Sequence, residues 1–572
     1  MRVRKKKEGT SVHAISGTHV VLLGFDSTTK KARKGLLGFA VHRKDHTEDE
    51  EYWIRGFRTF EMAENSGLKP GQLVSTLEHP VQSYSWGDYT AKPNHIYTYT
   101  VVPMYGESGN LRKGSSVKVK IKTHCEDECG IYFNRGVAGS QAYARRFDNV
   151  RPSEIKDKKK QKAAYKWLSR GLEEAILAFI GQAKNSNFAL RAAVYEFSHL
   201  PVLEAFGTAA RKKADVKIVY DRRKRGPFEA TEKATRKAGI RKLMIPRKVG
   251  SAISHNKFIV LLEKGEPVAV WTGSTNFTAA GIFGQSNVGQ VIRDKGIAKQ
   301  YFDYWTRLSE DPTNKELRPL NVEATPDPVG PIRKKGTIKP LFSPRNDLTA
   351  LEWYGERLAA AKQSVCFTAA FGISATLAGP LLKKKDYLRF IMVETQGSKR
   401  AKKPTPENPK PKSQFDVFQD IRKVKNNEIA IGAILREAND AAGDDLHHWL
   451  RESLTGLNTH VKYLHTKYMF LDALTNNPTV ISGSANFSSA STTSNDENMV
   501  IIQGDTDLAD IFLGEFMRLF HHFYFRQFAN RAARKKSGKS VDKSPHLRSD
   551  DSWTERFFDS KSIKSLERKF FA

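Results

Sequence analysis

The sequence predicts an α/β protein whose two duplicated lobes face each other across one site, preceded by an all-β domain. Three observations predict it. A set of polar residues recurs 210 positions later in the same order, the first 150 residues alternate in period two, and helical and strand-like stretches alternate from about residue 158 onward. At 572 residues the chain is too long for one core, and roughly 150 residues per domain leaves room for two lobes and an accessory domain. The boundaries that follow are a β-sandwich over 1–150, a first lobe over 151–335, a second over 336–533 and a basic tail over 534–572.

The β domain rests on short alternating stretches separated by turn residues. His19 to Phe25, Gly35 to Val41 and Tyr52 to Phe60 are strand candidates, Tyr97, Tyr99 and Val101 share a face, and so do Val117, Val119 and Ile121. The run Tyr97, Tyr99, Val101, Pro103 with its following turn and strand resembles a fibronectin type III or immunoglobulin-like sandwich. Such domains bind or space, so no catalysis is assigned there, and recruitment of substrate or of a protein partner is the role expected.

In the first lobe, a helix over Lys162 to Ala183 precedes a strand from Phe188 to Phe197, a helix from Pro201 to Lys213 and a strand from Val216 to Tyr220. Strands Phe258 to Leu262 and Val268 to Thr272 then bracket the first polar cluster. The order repeats with helix Leu348 to Lys362, strands Val365 to Ala370, Leu388 to Glu394 and Ile429 to Ile434, helix Asp444 to Leu454, and strands Tyr468 to Leu471 and Thr479 to Ser482. Thr325 to Lys335, rich in proline and basic residues, suits a linker between the lobes, and Gly397 to Lys412 a mobile loop. Trp553, Phe557, Phe558, Phe570 and Phe571 equip the tail to dock on the body or on a partner.

The repeated set is His255, Lys257, Gly273, Ser274 and Asn276, and then His465, Lys467, Gly483, Ser484 and Asn486. On a strand, residues i and i+2 share a face, so each lobe presents one imidazole and one ammonium together. The Gly-Ser-x-Asn turn adds a hydroxyl and an amide as neutral donors. Two histidines, two lysines, two serines and two asparagines around one cavity suit transfer of a phosphoryl group from a phosphodiester. One imidazole attacks phosphorus, the other protonates the departing alkoxide, and the lysine and asparagine donors hold the remaining oxygens as charge builds. A covalent phosphohistidine results, water hydrolyses it, and the scheme calls for no metal and no cofactor.

These residues resemble the phospholipase D superfamily, whose signature is His-x-Lys-x4-Asp followed by Gly-Ser-x-Asn, over roughly residues 158 to 530. The resemblance implies two phospholipase D-like lobes related by a pseudo-twofold axis, with catalysis that needs no metal. Carried over by position, the catalytic set is His255, Lys257, Ser274, Asn276, His465, Lys467, Ser484 and Asn486, with Asp472 and Glu497 completing the second copy. The first copy departs from the pattern, since Leu262 stands where the aspartate belongs and Asn287-Val288-Gly289 offers no counterpart to Glu497. A similar loss in one half occurs in the tyrosyl-DNA phosphodiesterase branch. A carboxylate partner fixes the tautomer of a histidine and raises its pKa, which gives Glu497 an orienting role. Family usage implies His255 as nucleophile and His465 as acid.

The charge narrows the substrate. With 94 Lys+Arg against 62 Asp+Glu, the formal net charge is +32, which calls for a polyanionic partner. Nucleic acid is favoured, DNA before RNA, because basic clusters at Lys156 to Lys162, Arg222 to Arg225, Lys399 to Lys412 and Arg531 to Lys539 accompany the catalytic halves. A lipid hydrolase acting on anionic phospholipid is the alternative, and a non-catalytic polyanion-binding scaffold the third reading. The best candidate for an interfacial helix, Phe512 to Phe528, carries its aromatics all round and reads as buried packing. No apolar run approaches the ~20 residues of a membrane span. Three cysteines make no disulfide framework and fit a reducing cytosol, and His124, Cys125 and Cys129 are too few for a tetrahedral zinc. One chain suffices for a complete site; dimerisation is left open.

Overall fold

A computed structural model describes residues 1–61, 72–136, 141–148, 150–223, 227–248, 253–401, 411–432, 464–534 and 546–572. The helix expected over Asp444 to Leu454 lies outside these residues, as do parts of the basic clusters at 222–225, 399–412 and 531–539.

At the N-terminus, strands Arg2–Lys7, Thr10–Ser16, Val21–Ser27 and Ser85–Asp88 form one antiparallel sheet. A second contains Gly38–Asp45, Glu50–Trp53, Ile96–Glu107, Asn110–Lys113 and Val117–Lys122. The alternation decides the packing: Val12, Val21 and Leu23 from one sheet meet Val41, Tyr97, Tyr99, Val101 and Val119 from the other in one core. The first lobe starts before residue 150, because Ile131–Phe133 pairs antiparallel with Val288–Ile292. The tail docks on the body. Trp553 and Phe557 enter the sandwich core, the Trp553 indole donates to the Leu36 carbonyl at 2.7 Å, and Phe571 packs into the core between the lobes.

The lobes are topological copies. In the first, a seven-stranded sheet runs Ile131–Phe133, Val288–Ile292, Glu266–Gly273, Lys257–Glu263, Phe188–Val194, Asp215–Asp221, Met244–Arg247. In the second, it runs Thr337–Ser343, Glu497–Gln503, Thr479–Gly483, Tyr468–Leu471, Ser364–Ala369, Leu388–Val393, Asn427–Ile431. The last three strands of each are parallel, so helices must carry the chain back between them, as Leu200–Arg211 and Ala375–Leu382 do. The remaining pairings are antiparallel.

Period-two alternation sends each central strand into two cores. Phe258, Val260 and Leu262 enter the core shared by the lobes, whereas Ile259 and Leu261 face the first lobe's own helices. Tyr468 and Phe470 do the same against Met469 and Leu471. Helix Thr506–Arg534 fills the shared core with Phe512, Phe516, Phe520 and Phe523, each at most 3% exposed, which is the buried packing expected of that segment. Among the described residues no helix is long and apolar enough to cross a membrane.

One expected element is split. Instead of a single helix over Lys162 to Ala183 there are two, Lys158–Ser169 and Leu172–Gly181, with Arg170 and Gly171 between them at φ 47° and 90°. The left-handed backbone is adopted by a non-glycine residue because the buried Arg170 guanidinium reaches the Phe133 carbonyl at 3.1 Å and the Glu515 carboxylate at 2.5 Å. A buried charge needs such a partner, and here it lies 345 residues away on the long helix.

Candidate active site

The two histidines do not sit within strands. His255 lies two residues before strand Lys257–Glu263, and His465 three before Tyr468–Leu471, each where the chain touches the other lobe. Isolated parallel bridges join Ser254 to Asp496 and Ser286 to Leu464, so the contacts repeat the 210-residue offset. The His255 amide donates to the Asp496 carbonyl at 2.9 Å and the His465 amide to the Ser286 carbonyl at 3.3 Å. Backbone bonds between the lobes therefore hold both imidazoles at the seam.

The side chains also cross. His255 Nδ1 lies 2.8 Å from Glu497 Oε2, and His465 Nδ1 lies 2.9 Å from Asn287 Oδ1. Each ring is held by the residue at the matching position of the opposite lobe, a carboxylate for one and an amide for the other. Asn287 is thus the counterpart of Glu497, which its lack of a carboxylate hid from sequence reasoning. Its orientation is set by its other bonds, because Nδ2 donates to the Gly281 carbonyl at 2.7 Å and leaves Oδ1 to face His465. Both imidazoles must then carry hydrogen on Nδ1, which leaves each Nε2 free to act.

Other positions change role. The Ser274 hydroxyl donates to Asn287 Oδ1 at 2.8 Å and accepts from the Val288 amide at 3.1 Å; Ser484 donates to the Asn498 carbonyl at 3.3 Å and accepts from its amide at 3.0 Å. The two serines tie the turn to the next strand instead of facing the cavity as free donors. Gly273 and Gly483 serve the same contact, since a Cβ on either would stand 2.2 Å from the carbonyl oxygen of Val288 or Asn498. Asn276 Nδ2 donates to Glu196 at 2.7 Å, while the buried Oδ1 atoms of Asn276 and Asn486 have no hydrogen-bond partner among the described residues.

Asp472 is not brought to the site. It lies at the far end of strand Tyr468–Leu471 and accepts from the amides of Lys362 and Gln363 at 2.9 and 2.6 Å, capping a loop. Leu262 holds the matching place on the first lobe's strand, so the missing aspartate there leaves the imidazoles untouched. Sequence reasoning missed a different pair of acids. Asp221 accepts from the Ser254 amide at 2.9 Å and Glu394 from the Leu464 amide at 3.0 Å, each fixing the backbone just before a histidine.

Lys257 and Lys467 donate to the carbonyls of His255 and His465, the second at 2.6 Å. All four groups are buried, and burial dominates their titration. It lowers His255 to about 4 against the opposing pull of Glu497, and Lys257 to about 8 against Glu497 and Glu196. His465 is held well below the usual range by burial and by Lys467 and Lys257, and Lys467 is depressed by burial and the neighbouring Lys257 charge. Burial alone would raise Glu497, but His255 and Lys257 bring it below its ordinary value, so it stays a carboxylate. Ser491 and Asn495 donate to its other oxygen at 2.9 and 3.3 Å. The site gathers two buried imidazoles and two desolvated amines around the Glu497 carboxylate.

A family model described as cardiolipin synthase, PLD-like domain, matches residues 176–308 and 409–520. The chain is similar to the polyphosphate kinase of Porphyromonas gingivalis, with 13% identity, 57% of this chain and 42% of that chain covered, and a TM-score of 0.35. This chain therefore spans less than half of that kinase. It is also similar to the phosphatidylserine synthase of Haemophilus influenzae Rd KW20, with 12% identity, coverage of 64% and 92%, and a TM-score of 0.41. A third likeness is to Nuc, a phospholipase D family member from Salmonella typhimurium, with 27% identity, coverage of 24% and 87%, and a TM-score of 0.21. A search of curated proteins returned no match.

Proposed function

Because this chain belongs to the phospholipase D superfamily, we propose that it is a phosphodiesterase that hydrolyses nucleic acid through a covalent phosphohistidine, without a metal. The observation that carries the reading is the crossed pairing of His255 with Glu497 and His465 with Asn287. The same pairing supports one allocation of roles. The ring that bonds to phosphorus becomes cationic and stays so for the life of the intermediate, which favours the one beside a carboxylate. The ring that gives up a proton is best left with a neutral partner. The anionic phosphodiester, on entering, favours a second proton on His465, at Nε2; His255 Nε2 then attacks phosphorus, the ester P–O bond breaks, and His465 Nε2 hands that proton to the leaving oxygen. Water then attacks the phosphohistidine, its proton goes to His465, and the P–N bond breaks to restore His255. Lys257 and Lys467 supply the charge that holds the phosphate oxygens.

Nucleic acid is favoured as substrate by an exposed basic face on the sandwich. Strand Val117–Lys122 buries Val117, Val119 and Ile121 and exposes Lys118, Lys120 and Lys122, opposite Thr100, Thr98 and Ile96 of the neighbouring strand. Among the described residues none of the three lysines joins an ion pair, whereas Lys160 and Lys412, in clusters singled out from sequence, pair with Asp148 and Asp420 at 2.9 and 2.6 Å. Three unpaired cations on one face match a phosphate backbone. For a single strand each phosphate contact adds ~0.7 to the slope of log affinity against log salt, so K118A/K120A/K122A should flatten that slope by about 2. The decisive assay offers labelled DNA, RNA and anionic phospholipid vesicles to the full chain in excess chelator. Cleavage of nucleic acid with that salt dependence is expected; cleavage of lipid alone rejects the reading.

The depressed lysine sets a pH limit. Lys257 is charged below about 8 and neutral above it, so it loses its hold on the phosphate as pH rises through that value. In a pH–rate profile kcat/KM should decline above about pH 8, and Lys257→Arg, which stays charged, should move that limb upward. An unchanged limb in the arginine variant would remove Lys257 from phosphate binding.

A further inference from the structure

One aromatic ring from each lobe stands beside the catalytic groups. Tyr195 directly follows strand Phe188–Val194, and Phe371 lies just beyond strand Ser364–Ala369, the same strand of the other sheet. Each ring stands over the lysine of its own lobe, with Lys257 Nζ 5.4 Å from the Tyr195 centroid and Lys467 Nζ 5.9 Å from that of Phe371. Their surroundings differ. Tyr195 is packed against the His255 ring, centroids 4.9 Å apart. Phe371 is 53% exposed, and among the described residues its ring has no aromatic neighbour.

A half-exposed phenylalanine forgoes much of the burial that stabilises such a side chain. This one adjoins the wholly buried Lys467, so it forms an apolar step at the mouth of a cationic site. What fits is a ligand with an anionic group joined to a flat apolar one, spaced so that the first reaches Lys467 while the second lies on the ring. A nucleotide has that form: phosphate to the lysine, base to the phenylalanine. Position selects which nucleotide. Phe371 belongs to the lobe that supplies His465, and His465 protonates the leaving oxygen, so the base in reach is the one on the leaving side.

We propose that Phe371 is a stacking platform for the nucleobase on the leaving side of the scissile phosphodiester, and that the substrate is therefore unpaired at the cut. This rests on the nuclease reading above and deepens it. A base paired in a duplex has no free face to offer, and extruding it costs a few kcal/mol, so single strands are preferred.

The test compares the full-length chain with F371A and F371W on a single-stranded oligonucleotide, on its duplex, and on a strand of equal length with abasic residues throughout. Wild type should cut the single strand faster than the duplex. Phe371→Ala should raise KM about tenfold on the single strand, the scale of one stacked base, and leave KM on the abasic strand unchanged, with Phe371→Trp close to wild type. Equal losses for Phe371→Ala on base-bearing and abasic strands would overturn the platform while leaving the nuclease intact, as would a duplex cut as fast as a single strand. If wild type cuts none of the three strands, the nuclease reading fails and the platform with it. The ring is half-exposed, so the alanine variant should fold, and an unshifted melting temperature checks that it has.

Discussion

His255→Ala is expected to lower kcat/KM by about 10⁴-fold or more, and His465→Ala to separate the two halves of the reaction. Without His255 no bond to phosphorus forms. Without His465 an alcohol leaves unprotonated and slowly, but a p-nitrophenolate leaving group needs no acid. His465→Ala should therefore release one equivalent of p-nitrophenol in a burst from a p-nitrophenyl phosphodiester and then stall, since the water that must attack next has lost its base. Mass spectrometry of the stalled protein should find the phosphoryl adduct on His255. An adduct on His465 in the His255→Ala variant, with a burst there instead, would show the roles reversed.

Glu497→Gln should lower turnover by up to about 10⁴-fold, the loss seen when the carboxylate behind a catalytic imidazole becomes an amide. The reason lies in what surrounds it. Ser491 and Asn495 donate to Glu497 Oε1, and His255 Nδ1 donates to Oε2. A glutamine must turn its NH₂ toward one side. Facing His255, it drives the ring proton onto Nε2 and removes the nucleophilic lone pair; facing Asn495, it sets two donors together in a buried place. In either orientation the phosphohistidine loses the negative charge beside it. A variant near wild-type activity, with its pH–rate profile unmoved, would mean that Glu497 serves packing alone.

Much of this protein is legible in order. The 210-residue repeat located both halves of the site, and period-two alternation placed Tyr97, Tyr99 and Val101 on one buried face. Strand Tyr468–Leu471 lies where the pattern put it, and Asp215–Asp221 and Leu388–Val393 within a residue of it. Local patterning suffices for these because a strand buried on both faces reads as a run of apolar residues wherever it ends up. The helix over 162–183 failed that test at Arg170, whose departure from the helix answers a carboxylate on a distant segment. Spacing was misleading about Asp472, which completes a motif yet caps a loop, and residue type hid Asn287, which the 210-residue offset aligns with Glu497 and which holds a histidine.

Residue order alone supplies the inventory: two lobes, two imidazoles, two amines and a strongly basic chain around them. Which of these groups holds which is settled by the fold. The pairings His255 with Glu497 and His465 with Asn287 join residues 242 and 178 positions apart, through a seam that exists only when one lobe closes on the other. No period or motif within a lobe encodes a hydrogen bond to its twin. The chemical difference between the two histidines comes from that contact, since a buried carboxylate and a buried amide impose different electrostatics on rings that are otherwise alike.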